Sequence, residues 1–328
     1  MRRFAGISCV FALAIAPFAS GCATYRFEGT MGASPPALAR EEIPEFAYDR
    51  ENPIAPVVEG KTKDHGKYVE RNLKWRARDM AKMKEKNAKA YFYSPKDENR
   101  QTPALVLLPP TGGPYDIVKP YAEYFAERGF TVIALRRRET FFKPDKPLEY
   151  SAMQIRQAVI DARRAIDYLD TLPYVDKTKT AVMGISLGGI IGALTMESDG
   201  RVEAAGFLVT GAHLPDIMAE SGFSRVYKLR DAVMERENIT PSQLRAAVEP
   251  AFGPVDPARY ADRIDPARLV MVNGAIDDII PREIVLKTRN TYGKPTVHFM
   301  PLTHYTSIGF PSYANRKIYE HFQKVLDL

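Results

Sequence analysis

The stretch MGISLGG, residues 183–189, places three glycines around one serine directly after an apolar run. Glycine weakens regular structure, so it is favoured where the backbone turns sharply or approaches another group closely. The pattern predicts a strand over 180–185 and a helix over 187–196, with Ser186 at the turn between them. Residues 184–188 match G-x-S-x-G, the pattern of a strained turn that exposes a nucleophilic serine. Ser186 is therefore the candidate nucleophile.

The turn at residues 184–188, which we call the elbow, belongs to a regular alternation of apolar runs and helical segments that begins at residue 90. Short apolar runs flanked by turn residues predict strands, and amphipathic segments between them predict helices. Near-continuous apolar strands that alternate with helices indicate a mostly parallel sheet covered on both faces, which is an α/β architecture. The further predicted strands are 90–93, 104–108, 131–135, 204–210, 268–273 and 296–300, and the further helices are 117–128, 153–172, 283–289 and 313–326.

One interval interrupts this alternation. Residues 213–266 have helical character and contain no clear strand. The interval is too long for a plain connection, so we expect a helical insertion over one end of the sheet. Ligands of open α/β sheets bind at the carboxyl ends of the strands. The insertion is therefore a candidate cap over the site.

A serine hydroxyl needs a base to accept its proton, and the base needs an acid to orient it. His304 follows the last predicted strand, and Asp277 follows the strand before it, three residues after Gly274. Both therefore lie on loops at the same sheet edge as Ser186, in the chain order serine, acid, histidine. Asp278 is the alternative acid, because two adjacent side chains cannot both face the imidazole. His213, at the start of the cap, is a further histidine that could line the pocket.

These motifs resemble the α/β-hydrolase superfamily, and the resemblance covers about residues 90–328. It implies a sheet of about eight strands, Ser-His-Asp chemistry and, from the spacing after Gly274, Asp277 rather than Asp278 as the acid. The chain departs from many relatives in having prolines at 109–110, where His-Gly is common, and Thr303 before the histidine.

The resemblance also implies an oxyanion hole made of two backbone N–H groups. One is that of Leu187, after the nucleophile, and the other comes from the loop after the strand at 104–108. Proline has no N–H, so Thr111 is the first available donor and Gly112 is the next. The run RRR at 136–138 lies at the same edge and is either a clamp for an anionic group or a solvated rim.

The first 22 residues predict an export signal. Two arginines precede a short apolar run and small residues, which is typical of a secretory signal. The sequence ASGC at 19–22 resembles the lipobox of bacterial lipoproteins, which implies a signal peptide over 1–21 and lipidation of Cys22. Ala23 after the cysteine is similar to lipoproteins of the outer membrane, so we expect a lipid-anchored protein of the cell envelope that faces the periplasm. The alternative is an ordinary signal peptide that is cut after Ala19 or Gly21.

Two segments separate this signal from the predicted hydrolase domain. Residues 22–60 contain five prolines and predict an extended tether. Residues 61–89 contain eleven Lys or Arg against four Asp or Glu, with apolar residues near helical spacing. We expect a basic helical arm that docks on the main domain, although such a helix also suits anionic headgroups.

The composition of the chain argues against several classes of function. The net charge of +6 is a mild excess, and no nucleic-acid-reading motif accompanies it, so no nucleic-acid partner is expected. The two cysteines both lie within the first 22 residues, which argues against a disulfide framework or a cysteine-rich metal site. We expect a serine hydrolase that cleaves small acyl esters through an acyl-enzyme, with no metal or cofactor. The alternatives are a prolyl-oligopeptidase-like serine peptidase and a non-catalytic envelope lipoprotein with a hydrolase-like binding domain.

Overall fold

A computed structural model describes residues 23–29, 42–51, 53–79, 84–112, 114–137 and 141–328. The predicted signal peptide, its Cys22, and Arg138 of the arginine run lie outside the described residues. The described chain forms one sheet of ten strands. They are β1 (Thr24–Tyr25), β2 (Val57–Asp64), β3 (Tyr68–Asp79), β4 (Lys84–Pro95), β5 (Thr102–Leu108), β6 (Thr131–Leu135), β7 (Val175–Ile185), β8 (Val202–Leu208), β9 (Leu269–Gly274) and β10 (Thr296–Met300).

The strand order is β1-β10-β9-β8-β7-β5-β6-β4-β3-β2. Strands β5 to β10 pair in parallel, and β1, β2, β3 and β4 pair antiparallel to their neighbours. The prediction of a mostly parallel sheet is therefore confirmed. The expected count of about eight strands is wrong, because the N-terminal part of the chain adds strands at both edges of the sheet.

Nine α-helices of the described residues cover the two faces and the top of the sheet. One buried apolar cluster includes Val106 of β5 and residues of α2 and α3, and the other includes Leu105 and Leu107 of β5 and residues of α1 and α9. Alternate residues of β5 thus point into two different cores on the two faces of the sheet. Because both faces are buried, the strand reads as a continuous apolar run. The helices are α1 (Lys119–Ala126), α2 (Leu148–Leu169), α3 (Leu187–Ser198), α4 (Leu214–Glu220), α5 (Ser224–Glu237), α6 (Leu244–Phe252), α7 (Arg282–Thr291), α8 (His304–Gly309) and α9 (Pro311–Leu326).

The predicted helical arm over 61–89 is wrong, because the described part of this range lies in β2, β3 and β4. Leu73, Trp75 and Ala77 are buried, whereas the cationic residues between them are not. This period of two is the periodicity of a strand with one covered face. The predicted domain boundary at residue 90 is also wrong, since β4 begins at Lys84 and pairs with the core strand β6.

The described parts of the predicted tether over 22–60 do not form a free spacer. Ala23 and β1 pair with β10, and residues 42–51 pack beside α2. Phe46 is fully buried, and its carbonyl oxygen accepts a hydrogen bond from the buried guanidinium of Arg163 at 2.5 Å. These N-terminal segments are therefore part of the folded domain.

The insertion over 213–266 contains α4, α5, α6 and short 3₁₀ turns, as its helical pattern predicts. It is tied to the sheet edge at Gly222, whose N–H donates to the carbonyl oxygen of Asp278 at 2.9 Å. The helices of the described residues include none that has both the length and the apolar character required to cross a bilayer.

Candidate active site

The turn between β7 and α3 holds Ser186 in a backbone conformation that non-glycine residues rarely adopt, with φ 56° and ψ −121°. Three hydrogen bonds fix the turn. The Ser186 N–H donates to the carbonyl oxygen of Leu208 at 2.8 Å, and the Ser186 carbonyl accepts from the Gly189 N–H at 2.8 Å and the Thr210 hydroxyl at 2.9 Å. The structure thus shows the strained strand-to-helix turn that the sequence predicts.

The glycines of the elbow are required by close backbone approach. A Cβ on Gly184 would lie 2.6 Å from Cα of Gly189, and one on Gly188 would lie 2.7 Å from the carbonyl oxygen of Pro109. Cβ atoms do not approach other atoms this closely, so neither position accepts a side chain without movement of the backbone. The glycines therefore let α3 begin directly against the end of β5.

The structure brings Ser186, His304 and Asp277 together in one hydrogen-bonded chain. Nε2 of His304 lies 2.9 Å from Oγ of Ser186, and Nδ1 lies 2.8 Å from Oδ2 of Asp277. Because the buried carboxylate can only accept, Nδ1 carries a proton and Nε2 is left to accept the proton of the serine. The arrangement is that of a nucleophile, a base and an orienting acid.

The acid is held by its own loop. Oδ1 of Asp277 accepts the N–H groups of Ile279 and Ile280 at 2.8 and 2.9 Å, which leaves Oδ2 for the imidazole. Asp278 is exposed, whereas Asp277 is buried and contacts the imidazole, so the geometry favours Asp277 of the two candidates. Thr303, which directly precedes the histidine, caps α8 through a reciprocal pair of hydrogen bonds with Thr306.

The predicted oxyanion donors lie on the helix that follows the serine and on the loop after β5. Leu187 is the first residue of α3, where backbone N–H groups have no partner within the helix. Thr111 and Gly112 line the same cavity as Ser186. The hydroxyl of Thr111 is buried and has no hydrogen-bond partner among the described residues. The structure therefore keeps both predicted loop donors beside the nucleophile.

Two arginines hold the loop that carries these donors. The sequence patterns did not predict this contact for either of them. Nη1 of Arg137 donates to the carbonyl oxygen of Pro110 at 3.1 Å, and Nη1 of Arg225 donates to that of Thr111 at 3.4 Å. Arg137 belongs to the predicted run at 136–138, but Arg225 lies in the cap. The position of Arg225 depends on how the cap packs against the loop after β5, which no local sequence pattern reveals.

The cavity in front of Ser186 has a volume of about 160 Å³ and mostly apolar walls. Phe223 of the cap and Ile279 of the acid loop contribute to it, and neither was identified from the sequence. The cap therefore forms part of the site, as expected for an insertion at this edge. The apolar lining residues are Ile117, Phe223, Ile279, Tyr305 and Ile308.

The other candidate histidine lies away from this cavity. Nε2 of His213 is 3.0 Å from the hydroxyl of Thr291, and the residue lines a different depression beside Asp256. Burial lowers the pKa of His213 below its usual range. Among the described residues there is no group of three or more His, Cys, Asp or Glu side chains arranged to hold a metal ion.

Comparisons with known proteins agree with this architecture. Residues 88–216 match the model of the Dienelactone hydrolase family. The uncharacterized protein YcjY of Escherichia coli (strain K12) is 33% identical over 180 residues, which cover 54% of this chain and 57% of that protein. The matched part thus spans little more than half the length of this curated relative.

Solved structures resemble the chain over most of its length. The acetyl xylan esterase of Paenibacillus sp. R4 has a TM-score of 0.67 at 18% identity, with 84% of this chain and 90% of that chain covered. Acetyl xylan esterase 1 of Thermoanaerobacterium sp. JW/SL YS485 has a TM-score of 0.62 at 17% identity, with 84% and 89% covered. An α/β-hydrolase of Penicillium sp. sh18 has a TM-score of 0.51 at 16% identity, with 78% and 99% covered. The chain has the α/β-hydrolase fold.

Proposed function

We propose that this protein of the α/β-hydrolase fold is a serine hydrolase that cleaves carboxylic esters. The observation that carries the proposal is the hydrogen-bonded chain Ser186–His304–Asp277, with distances of 2.9 and 2.8 Å. The match to the Dienelactone hydrolase family and the esterase names of the similar structures favour esters.

In the first half of the reaction, Oγ of Ser186 attacks the acyl carbon while Nε2 of His304 takes its proton. The carboxylate of Asp277 stabilises the imidazolium that forms. When the tetrahedral intermediate collapses, the bond to the leaving alcohol breaks and the alcohol takes the proton from Nε2. In the second half, water attacks the acyl-enzyme by the same steps and releases the acid.

The developing oxyanion needs donors that are already in place. The backbone N–H groups of Leu187 and Thr111 fill this role, with that of Gly112 as the alternative in the loop. Loss of one such donor raises the barrier by about 3 kcal/mol. The apolar cavity of about 160 Å³ in front of the serine suits a short acyl group.

The decisive experiment compares p-nitrophenyl acetate hydrolysis by the wild type, by Ser186→Ala and by Ser198→Ala. Ser198 ends α3, and its hydroxyl donates to a helix carbonyl, so it is a matched serine outside the site. We expect Ser186→Ala to lose turnover to the background rate and Ser198→Ala to keep it. Equal rates for the wild type and Ser186→Ala would instead support the binding-protein alternative, and faster turnover of amides would support the peptidase.

We also propose that Cys22 is lipidated and anchors the protein in the cell envelope, at the outer membrane facing the periplasm. The support is the sequence alone, ASGC at 19–22 after an apolar run. We expect Cys22→Ala to lose the lipid mass on the mature chain and to leave the membrane fraction. Cys9→Ala, which changes the only other cysteine, is the control and should fractionate as the wild type does.

A further inference from the structure

The N-terminal end of β1 lies at the edge of the sheet that carries the candidate site, and β1 runs from there along β10 in the opposite direction. Thr24 pairs with His298 and Tyr25 pairs with Val297, in antiparallel register. Ala23 continues this pairing, since its carbonyl oxygen accepts the N–H of Phe299 at 2.7 Å. Ala23 therefore lies beside Phe299 in the carboxyl half of β10, and His304 follows shortly after the end of that strand.

Side-chain contacts hold this segment in place. The ring of Tyr25 packs edge-on against that of Phe299 with centroids 5.9 Å apart, and its hydroxyl accepts a hydrogen bond from Arg282 at 3.2 Å. Cys22 is joined to Ala23 by one peptide bond, and consecutive Cα atoms are about 3.8 Å apart. A lipid on Cys22 would thus have almost no tether between it and the catalytic edge.

The same edge carries three strongly exposed apolar side chains, which we call the apolar rim: Ile276, Tyr305 and Phe310. Their exposed fractions are 64%, 64% and 66%. Ile276 lies in the loop after β9, and the other two lie in and after α8. The N–H of Ile276 donates to the carbonyl oxygen of Leu302 at 3.4 Å, so the loops are adjacent. Tyr305 also lines the cavity in front of Ser186.

We propose that the apolar rim is a docking surface for a phospholipid bilayer, and that the mouth of the active-site cavity faces the membrane. The substrates would then be esters carried in or delivered from the bilayer. This inference rests on the proposed ester hydrolysis and on the proposed anchor at Cys22. The anchor would hold the protein at the membrane, and an exposed apolar contact beside it would fix which side of the domain meets the bilayer. Tyrosine at the rim suits the interface between headgroups and acyl chains.

The orientation can be read with tryptophan reporters in the full, lipidated chain. Phe310→Trp places a reporter in the rim, and Leu328→Trp is the control. Leu328 is 45% exposed, and the carbonyl oxygen of its neighbour Asp327 accepts a hydrogen bond from Lys179 at the amino ends of the parallel strands. The native Trp75 is buried on β3 and gives the same background in both. The proteins are reconstituted into phosphatidylethanolamine and phosphatidylglycerol vesicles that contain brominated phosphatidylcholine.

We expect the brominated lipid to quench at least half of the added fluorescence in Phe310→Trp and little of it in Leu328→Trp. Equal quenching in the two variants, or no quenching in Phe310→Trp, would overturn the proposal. A rim buried in a dimer would give the second of these results, together with a doubled mass in sedimentation.

A second measurement links docking to activity. Ile276→Ser combined with Phe310→Ser removes two rim side chains that do not line the cavity. Val57→Ser combined with Val58→Ser is the matched control, because both valines are more than half exposed on β2, the strand farthest from β1. Removing two apolar side chains from a membrane contact should lower turnover of a vesicle-borne ester by roughly tenfold or more. Turnover of soluble p-nitrophenyl acetate should not change in either pair.

Equal turnover of the vesicle-borne ester by both pairs would refute the docking role of the rim. If the wild type cleaves neither ester, the proposed function fails, whereas the quenching experiment still decides the orientation. The two failures are therefore distinguishable.

Discussion

Substituting Gly188 by alanine should separate the two halves of the candidate oxyanion hole. Gly188 lies in the first turn of α3 against the end of β5. A Cβ there would lie 2.7 Å from the carbonyl oxygen of Pro109 and closer still to that of Leu108. Carbon and carbonyl oxygen normally stay at least about 3.3 Å apart. The backbone must therefore move by about 0.6 to 1 Å, since both contacts are with backbone atoms.

This movement acts on the donors directly. The N–H of Leu187 moves with α3, and that of Thr111 moves with the loop after β5. Donors must lie within about 2.7 to 3.1 Å of the oxyanion, and a misplacement of 1 Å costs about 100-fold in rate. We therefore expect kcat of Gly188→Ala to fall by about 100-fold with little change in KM. Overpacking of this kind should also lower the free energy of unfolding by about 1 to 3 kcal/mol.

The assay is p-nitrophenyl acetate hydrolysis, with urea unfolding of the same preparations. Gly309→Ala is the stability control, because a Cβ at this position meets no atom within 4 Å. Its free energy of unfolding should stay within about 0.5 kcal/mol of the wild type. A Gly188→Ala protein with kcat within threefold of the wild type would refute the coupling of the two loops.

Three further substitutions test the acid, a buried histidine and a buried arginine. Asp277→Asn should lower kcat by about 10³- to 10⁴-fold, as expected for loss of the orienting carboxylate, whereas Asp278→Asn should stay within threefold in the same ester assay. Burial lowers the pKa of His321 to about 4. The unfolded chain therefore binds an extra proton between about pH 6.5 and pH 4, and stability falls as the pH falls through that window. His321→Asn should remove about 3 kcal/mol of this loss in urea unfolding at pH 7 and pH 4, and an unchanged pH dependence would contradict the assignment. Arg163→Met should lower the free energy of unfolding by about 2 to 3 kcal/mol, because it removes the donor to the buried carbonyl oxygen of Phe46 and one of the two arginines beside the buried carboxylate of Asp199. The less buried Arg164→Met should cost under about 1 kcal/mol, and equal losses in thermal or urea unfolding would count against a special role of Arg163.

The parallel core and the site loops could be predicted because their signals are local. Strands such as β5 and β7 are buried on both faces, so their residues read as continuous apolar runs. The elbow combines such a strand with glycines at positions where backbone meets backbone. Loops that follow parallel strands meet at one edge, which brings Ser186, Asp277 and His304 together without any knowledge of the intervening chain.

The strands at the two edges could not be predicted in the same way. In β3 the buried residues Leu73, Trp75 and Ala77 alternate with cationic ones, and the high charge of the segment concealed this period of two. β1 has only two residues, and its partner β10 lies more than 270 positions away in the sequence. The positions of Phe223 and Arg225 at the site depend on how the cap packs, which is a tertiary property.

The conformation of Ser186 explains why the elbow contains residues that disfavour regular secondary structure. A non-glycine residue at positive φ is strained, and such strain persists only when the surroundings fix it. Here the Ser186 carbonyl is fixed by the hydroxyl of Thr210 at 2.9 Å and by the N–H of Gly189 at 2.8 Å. A Cβ on Gly189 would lie 2.6 Å from that same hydroxyl, so a better helix former would displace the group that holds the turn. Residues around the serine are thus selected for close approach rather than for helix propensity, and substitutions that favour the isolated helix should weaken the placement of Oγ.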